Sequence, residues 1–164
     1  VSANEQDLPR HSVSVAGVIV DDSERNVLLI KRRDNGHWEP PGGVLELGET
    51  IEDGLRREIR EETGLSVKVD RLTGVYKNLS RGIVALVYSC RSQGQPAATT
   101  AEAAAIRWQP FSSINELMEP VYAIRVHDAL GHGDTQTRAH DGVRIIGNPP
   151  PNSDTGDPAP ISAE

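Results

Sequence analysis

One cysteine, Cys90, stands in a chain of 164 residues. That excludes an internal disulfide and any zinc site built from several thiolates. Basic charge is also scarce: 17 Lys and Arg face 24 Asp and Glu, for a net charge of −7. Binding to nucleic acid by counterion release needs clustered Lys and Arg, so no polynucleotide partner is expected. A small anionic substrate would need a metal ion to offset charge on both sides. Long apolar stretches are missing too. The longest, residues 15–20 (Val-Ala-Gly-Val-Ile-Val), falls far short of the roughly 20 residues that span a bilayer, so no membrane association is expected. Residues 1–10 lack the apolar core of a signal peptide. The expectation is a soluble, cytoplasmic protein.

What the chain does have is 15 Gly and 11 Pro. Five of those prolines fall in residues 148–164, a stretch with too little to bury to offset its ordering entropy. A disordered or loosely draped Pro-rich tail is expected there, and a flexible lead-in over residues 1–10. Residues 11–147 remain as one folding unit. Within it, β-branched runs predict strands over 13–20, 27–31, 67–76 and 83–90, with 103–108 read as a strand from its context. Helices are predicted over 50–63, 113–118 and 122–130, and a Pro/Gly-rich loop over 34–48. Strands interleaved with helices, without strict βα alternation, predict an α/β fold layered as an α/β/α sandwich around a mixed sheet.

The helix at 50–63 has its acids in an unexpected place. Thr50 reads as its N-cap, with Asp53 at the capping-box position, and Gly64 as the left-handed residue past its end. At about 100° per residue, Leu55 and Ile59 fall within about 80° of Ile51 and define an apolar stripe. Glu58 and Glu62 straddle the line of Ile51, and Glu61 lies beside them. Two carboxylates therefore point where the core-facing stripe points. They are like charges four residues apart, they sit at the negative end of the helix dipole, and partial burial adds a desolvation cost. Hard oxygen donors gathered on one face suit Mg²⁺ or Mn²⁺. The plainer alternative is a solvated helix whose acids pair with the arginines around them.

Residues 43–65 read Gly-Val-Leu-Glu-Leu-Gly-Glu-Thr-Ile-Glu-Asp-Gly-Leu-Arg-Arg-Glu-Ile-Arg-Glu-Glu-Thr-Gly-Leu. This resembles the Nudix box, G-x5-E-x7-R-E-U-x-E-E-x-G-U, where U is a bulky aliphatic residue. Gly43, Glu49, Arg57, Glu58, Ile59, Glu61, Glu62, Gly64 and Leu65 all match. The resemblance implies a MutT-like hydrolase that cleaves a pyrophosphate linkage in a nucleoside diphosphate joined to another moiety, using Mg²⁺ or Mn²⁺. It also implies a loop–helix–loop catalytic motif in which Glu58, Glu61 and Glu62 face the metal and Gly42 offers a carbonyl. Arg57 would orient the acids through Glu49. Glu61 or Glu62 would be the general base, and Glu102 is a candidate extra ligand or base from across the cleft.

Arg32, Arg33 and Arg81 are candidate phosphate or substrate contacts, and Trp38 and Tyr76 candidate stacking partners for a base. His127, His132 and His140 are too dispersed to argue a metal site. The downstream Pro of ADP-ribose hydrolases and the Tyr of dinucleoside polyphosphate hydrolases are not met, since those places hold Ser80 and Arg81. The partner expected is thus a small nucleotide, either a nucleoside triphosphate or a nucleotide sugar. The alternative is a nucleotide sensor of the same fold that does not turn its ligand over. Oligomeric state is left open, a homodimer included.

Overall fold

The computed structural model describes residues 8–131 and 133–147. Most of the 1–10 lead-in, His132 and the whole Pro-rich stretch 148–164 lie outside the described residues. No described helix is long and apolar enough to cross a membrane.

Strand β1 (Ser12–Val20) pairs in parallel with β6 (Ile83–Gln93), from Ser12 opposite Ile83 to Val20 opposite Arg91. Beyond β6 lie β5 (Ser66–Asn78), antiparallel, then β8 (Gln136–His140), parallel to β5, and β9 (Ile145–Ile146). On the other flank, β2 (Asn26–Arg32) pairs antiparallel with both β7 (Ala103–Pro110) and β3 (Trp38–Glu39). β1 and β2 meet in register at Val20 and Val27. Beyond that point β4 (Gly42–Val44) lies beside β1, with Gly42 opposite Ala16 and Val44 opposite Ser14. The mixed sheet therefore forks, and β4 stands in the fork.

Both faces of the sheet are covered, which is why its central strands read as continuous apolar runs. Val15 and Ile19 of β1 and Leu28 and Ile30 of β2 pack with Leu55 and Ile59 of α1 (Ile51–Thr63). Their neighbours Ala16, Val18, Val27 and Leu29 point the other way. They pack under α2 (Ile114–Leu117) and α3 (Pro120–Leu130) with Ile114, Ala123 and Val126. The period of two along each strand thus feeds two separate cores, and the expected α/β/α sandwich is the observed architecture.

The differences from expectation lie in the short elements. Two small strands, β3 and β4, form inside the stretch expected as loop, and β8 and β9 follow the last expected helix. β4, Gly-Gly-Val, has no local preference for a strand and is held by its pairing with β1, while β3 and β9 are only two residues long and depend on β2 and β8. The 113–118 segment begins instead as a single 3-10 turn over Phe111–Ser113.

Candidate active site

Helix α1 is built to present acids. The Thr50 hydroxyl oxygen accepts the Asp53 N–H at 3.2 Å and donates to the Asp53 carboxylate at 2.7 Å, closing the N-terminus. Gly64, at φ 76°, ends the helix with its N–H on the Arg60 carbonyl. Between these ends Leu55 and Ile59 are fully buried, and Glu58 and Glu62 go down beside them, 8% and 3% exposed. Ile51 in the first turn, expected on the apolar stripe, is 39% exposed. The Glu61 side chain is half exposed at the margin.

Arg57 organises the outer side of this cluster. Its Nε and Nη2 donate to the two oxygens of Glu49 at 3.0 and 2.7 Å. Its Nη1 reaches Glu58 at 2.9 Å and Glu61 at 3.1 Å, and Nη2 also donates to the Val44 carbonyl at 3.2 Å. The guanidinium holds the Glu49 carboxyl down at about 2. One planar fork thus fixes three carboxylates and the β4 backbone together.

Glu62 faces the inner side, where one carboxylate oxygen accepts the Gly42 N–H at 2.7 Å. It enters no ion pair among the described residues. Burial pushes its carboxyl up to about 8, and the charges of Glu39, Glu58 and Glu102 add to the rise. Burial raises Glu58 as well. The glycine pair lets β4 come this close. A Cβ on Gly43 would lie 2.6 Å from a Glu58 oxygen, and one on Gly42 would lie 2.6 Å from the Ala16 Cα.

Glu58 and Glu62 face a cavity of about 480 Å³ whose other walls are Glu102, Gly42–Val44, Arg32, Arg33 and Asp34. No three His, Cys, Asp or Glu side chains among the described residues converge tightly enough to hold a metal ion in this arrangement. Glu58 and Glu61 are turned toward Arg57. The donor chemistry nevertheless fits a hard divalent cation: two buried carboxylates that resist ionisation and a third acid share one cavity, with no cation facing Glu62. A second cavity, of about 310 Å³, opens on the α3 side of β4 and shares Arg32, Asp34 and Gly42–Val44 with the first.

Among the other residues singled out in the sequence, Glu102 is brought into the acidic cavity from the β7 side. Arg32 lines both cavities but is already paired, at 2.7 Å to Asp34 and 3.1 Å to Glu39. Arg33 lies on the rim and donates to the Thr100 carbonyl. Arg81 lines the second cavity. Tyr76 is fully buried, its hydroxyl donating to Asp128 at 2.7 Å, so its ring supports the cavity floor and has no free face for a base. Trp38 packs against the α3-side core under Arg107, outside the lining of both cavities. His127 bonds Asn115 at the surface. Sequence reasoning missed Glu39, Asn78, Tyr122, Arg125 and the place of His140, all lining the second cavity. No signal in the sequence marks them: His140 and Asn78 become neighbours only across strands, 62 residues apart in the chain.

The NUDIX domain family model matches residues 10–128. A MutT-like protein of Streptomyces ambofaciens is 54% identical over 84% of this chain and 89% of its own. An ADP-ribose pyrophosphatase of Methanocaldococcus jannaschii is 48% identical over a shorter stretch, 43% of this chain and 42% of its own. Among solved structures, an ADP-ribose pyrophosphatase from Streptococcus suis superposes with a TM-score of 0.67 at 19% identity, over 78% of this chain and 99% of that one. At that identity the likeness speaks for the fold alone.

Proposed function

The chain belongs to the Nudix hydrolase family, and from that premise we propose that it hydrolyses the pyrophosphate linkage of a nucleoside diphosphate joined to another moiety, a nucleoside triphosphate or a nucleotide sugar. Mg²⁺ or Mn²⁺ would be held by Glu58, Glu61 and Glu62, with Gly42 and Glu102 beside them. When bound, the divalent ion offsets charge on the phosphate oxygens and acidifies the attacking water. The remaining work falls to the chain. Arg57 positions Glu58 and Glu61 while anchored on Glu49. The Gly42 N–H holds one oxygen of Glu62 and leaves the other for a proton or a cation. Glu61 or Glu62 would take the proton of the attacking water; the fixed orientation of Glu62 on the Gly42 N–H supports it in that role. Arg32 and Arg33, in the walls of the acidic cavity, are the candidates to meet substrate phosphates, and Arg81 to meet the rest of the substrate in the second cavity.

The observation that carries this reading is the burial of Glu62 without an ion pair among the described residues, in a cavity whose arginines are engaged elsewhere, Arg32 by Asp34 and Glu39 and Arg33 by the Thr100 carbonyl. A purely structural acid cluster would place an arginine or lysine there, as the chain does for Glu49. The test is a panel of nucleoside triphosphates and nucleotide sugars with Mg²⁺ or Mn²⁺, scored by release of nucleoside monophosphate. Turnover that stops with EDTA and in Glu58→Gln is expected. Tight binding with no turnover across the panel would overturn the hydrolase reading in favour of a nucleotide sensor.

A further inference from the structure

Two buried side-chain polar atoms lack a hydrogen-bond partner among the described residues: Nε of Arg125 and Nε2 of His140. Both residues line the second cavity. Buried donors are rarely left unmade, and two in one cavity point to a ligand that completes them. The Arg125 guanidinium is clamped between two rings, its carbon 5.2 Å from the Tyr76 centroid and 4.9 Å from that of Tyr122. It enters no ion pair among the described residues. The rings hold the cation in position but offer its N–H groups no acceptor in their plane.

His140 is 1% exposed, and its Nδ1 accepts the Gly142 N–H at 3.1 Å. The ring proton therefore sits on Nε2. Burial lowers the pKa of this imidazole, and the charge of Arg125 lowers it further, so the ring is neutral. Both orphaned atoms are thus N–H donors, and what they lack is acceptors.

We infer that this cavity takes the nucleobase of the substrate, and that Arg125 and His140 select bases carrying a carbonyl on the recognised edge over bases carrying an amino group. The inference rests on the nucleotide reading above. The shared wall of Arg32, Asp34 and Gly42–Val44 lets one ligand lie across both cavities, its phosphates over the acids of α1 and its base under α3. The carboxylates of Asp34 and Glu39 in the same wall are both paired with Arg32, at 2.7 and 3.1 Å; they disfavour a second anionic group there but are already engaged by that cation. An exocyclic amino group would set donor against donor and leave the buried N–H groups of Arg125 and His140 unpaired.

The test uses two substrate pairs that exchange the carbonyl for an amino group, the adjacent ring N–H becoming an acceptor with it: ITP against ATP, and UTP against CTP. The expected result is a kcat/KM at least about tenfold higher for the carbonyl member of each pair. That preference should collapse toward unity in Arg125→Gln and in His140→Phe, with melting curves confirming that each variant folds. Equal rates within both pairs, or variants that slow all four substrates alike, would overturn the inference and leave hydrolysis intact. A protein that hydrolyses none of them, nor the nucleotide sugars of the same bases, would sink the hydrolase reading instead. The pocket is then judged by calorimetric binding of IMP against AMP without metal. IMP binding at least tenfold tighter supports the donor pair; equal affinities, or no binding of either, overturn it.

Discussion

Two groups of buried charge lie on opposite faces of the same sheet and are treated in opposite ways. On the α3 side, Asp128 accepts the Tyr76 hydroxyl and two guanidinium nitrogens of Arg138, each at 2.7 Å. Acid and base are 2% and 3% exposed, and each finds its counterpart in the other. This unit ties α3 to β5 and β8. On the α1 side, Glu58, Glu62 and Glu102 share a cavity with one organising cation, Arg57, at its edge, and Glu62 has a single backbone N–H. The contrast separates two uses of buried charge. A carboxylate whose partners are all supplied by the chain holds the fold together. One left short of positive charge is held ready for something the chain does not supply.

The sharpest way to break that contrast is Glu62→Gln. Activity should fall by about 100- to 10,000-fold, the range a positioned acid–base group contributes. The metal-free melting temperature should stay level near neutral pH, where Glu62 is protonated, and rise above about pH 8, where its buried charge is removed. A clear drop in melting temperature would make the acid cluster structural after all. Asp128→Asn should behave the opposite way, losing about 3–5 kcal/mol in denaturant titration, because Arg138 is then buried without its counter-charge.

The pH dependence sharpens the same point. Folded Glu62 keeps its proton until about pH 8, while the unfolded chain releases it near 4.5. Between those values the folded state binds more protons, so this contribution to stability is full below about 4.5 and is lost as pH rises through 8. Melting of the metal-free protein should show that decline, Glu62→Gln should flatten it, and saturating Mg²⁺ should oppose it most at the alkaline end. The smallest effect expected is on Arg57→Lys. Loss of the two-pronged grip on Glu49 should lower kcat by about 10- to 100-fold, the range for residues that position metal ligands, with KM little changed.

Much of the α1 face could be read in advance. The helical period places Glu58 and Glu62 on the side of Leu55 and Ile59, and burial bears that register out. Thr50 and Gly64 close the helix at the expected ends. The α3 face was far less legible. Tyr76 could have been a stacking partner or a core residue, and the choice depends on Asp128, 52 residues away. Arg125 and His140 carry no local pattern at all, and each acquires meaning from the cavity that both line.

By itself, then, the amino-acid order determined what is local: the strand runs, the capped helix, the glycine pair before it and the acids along one stripe, because these depend on spacing over a few turns. Tertiary structure decided how the sheet forks at Val20 and Val27, how β4 enters beside β1, and which side chains from β5, β8 and α3 enclose the second cavity. Those choices rest on pairings between distant segments, where burial and hydrogen-bond satisfaction across the whole domain outweigh any preference of the residues concerned.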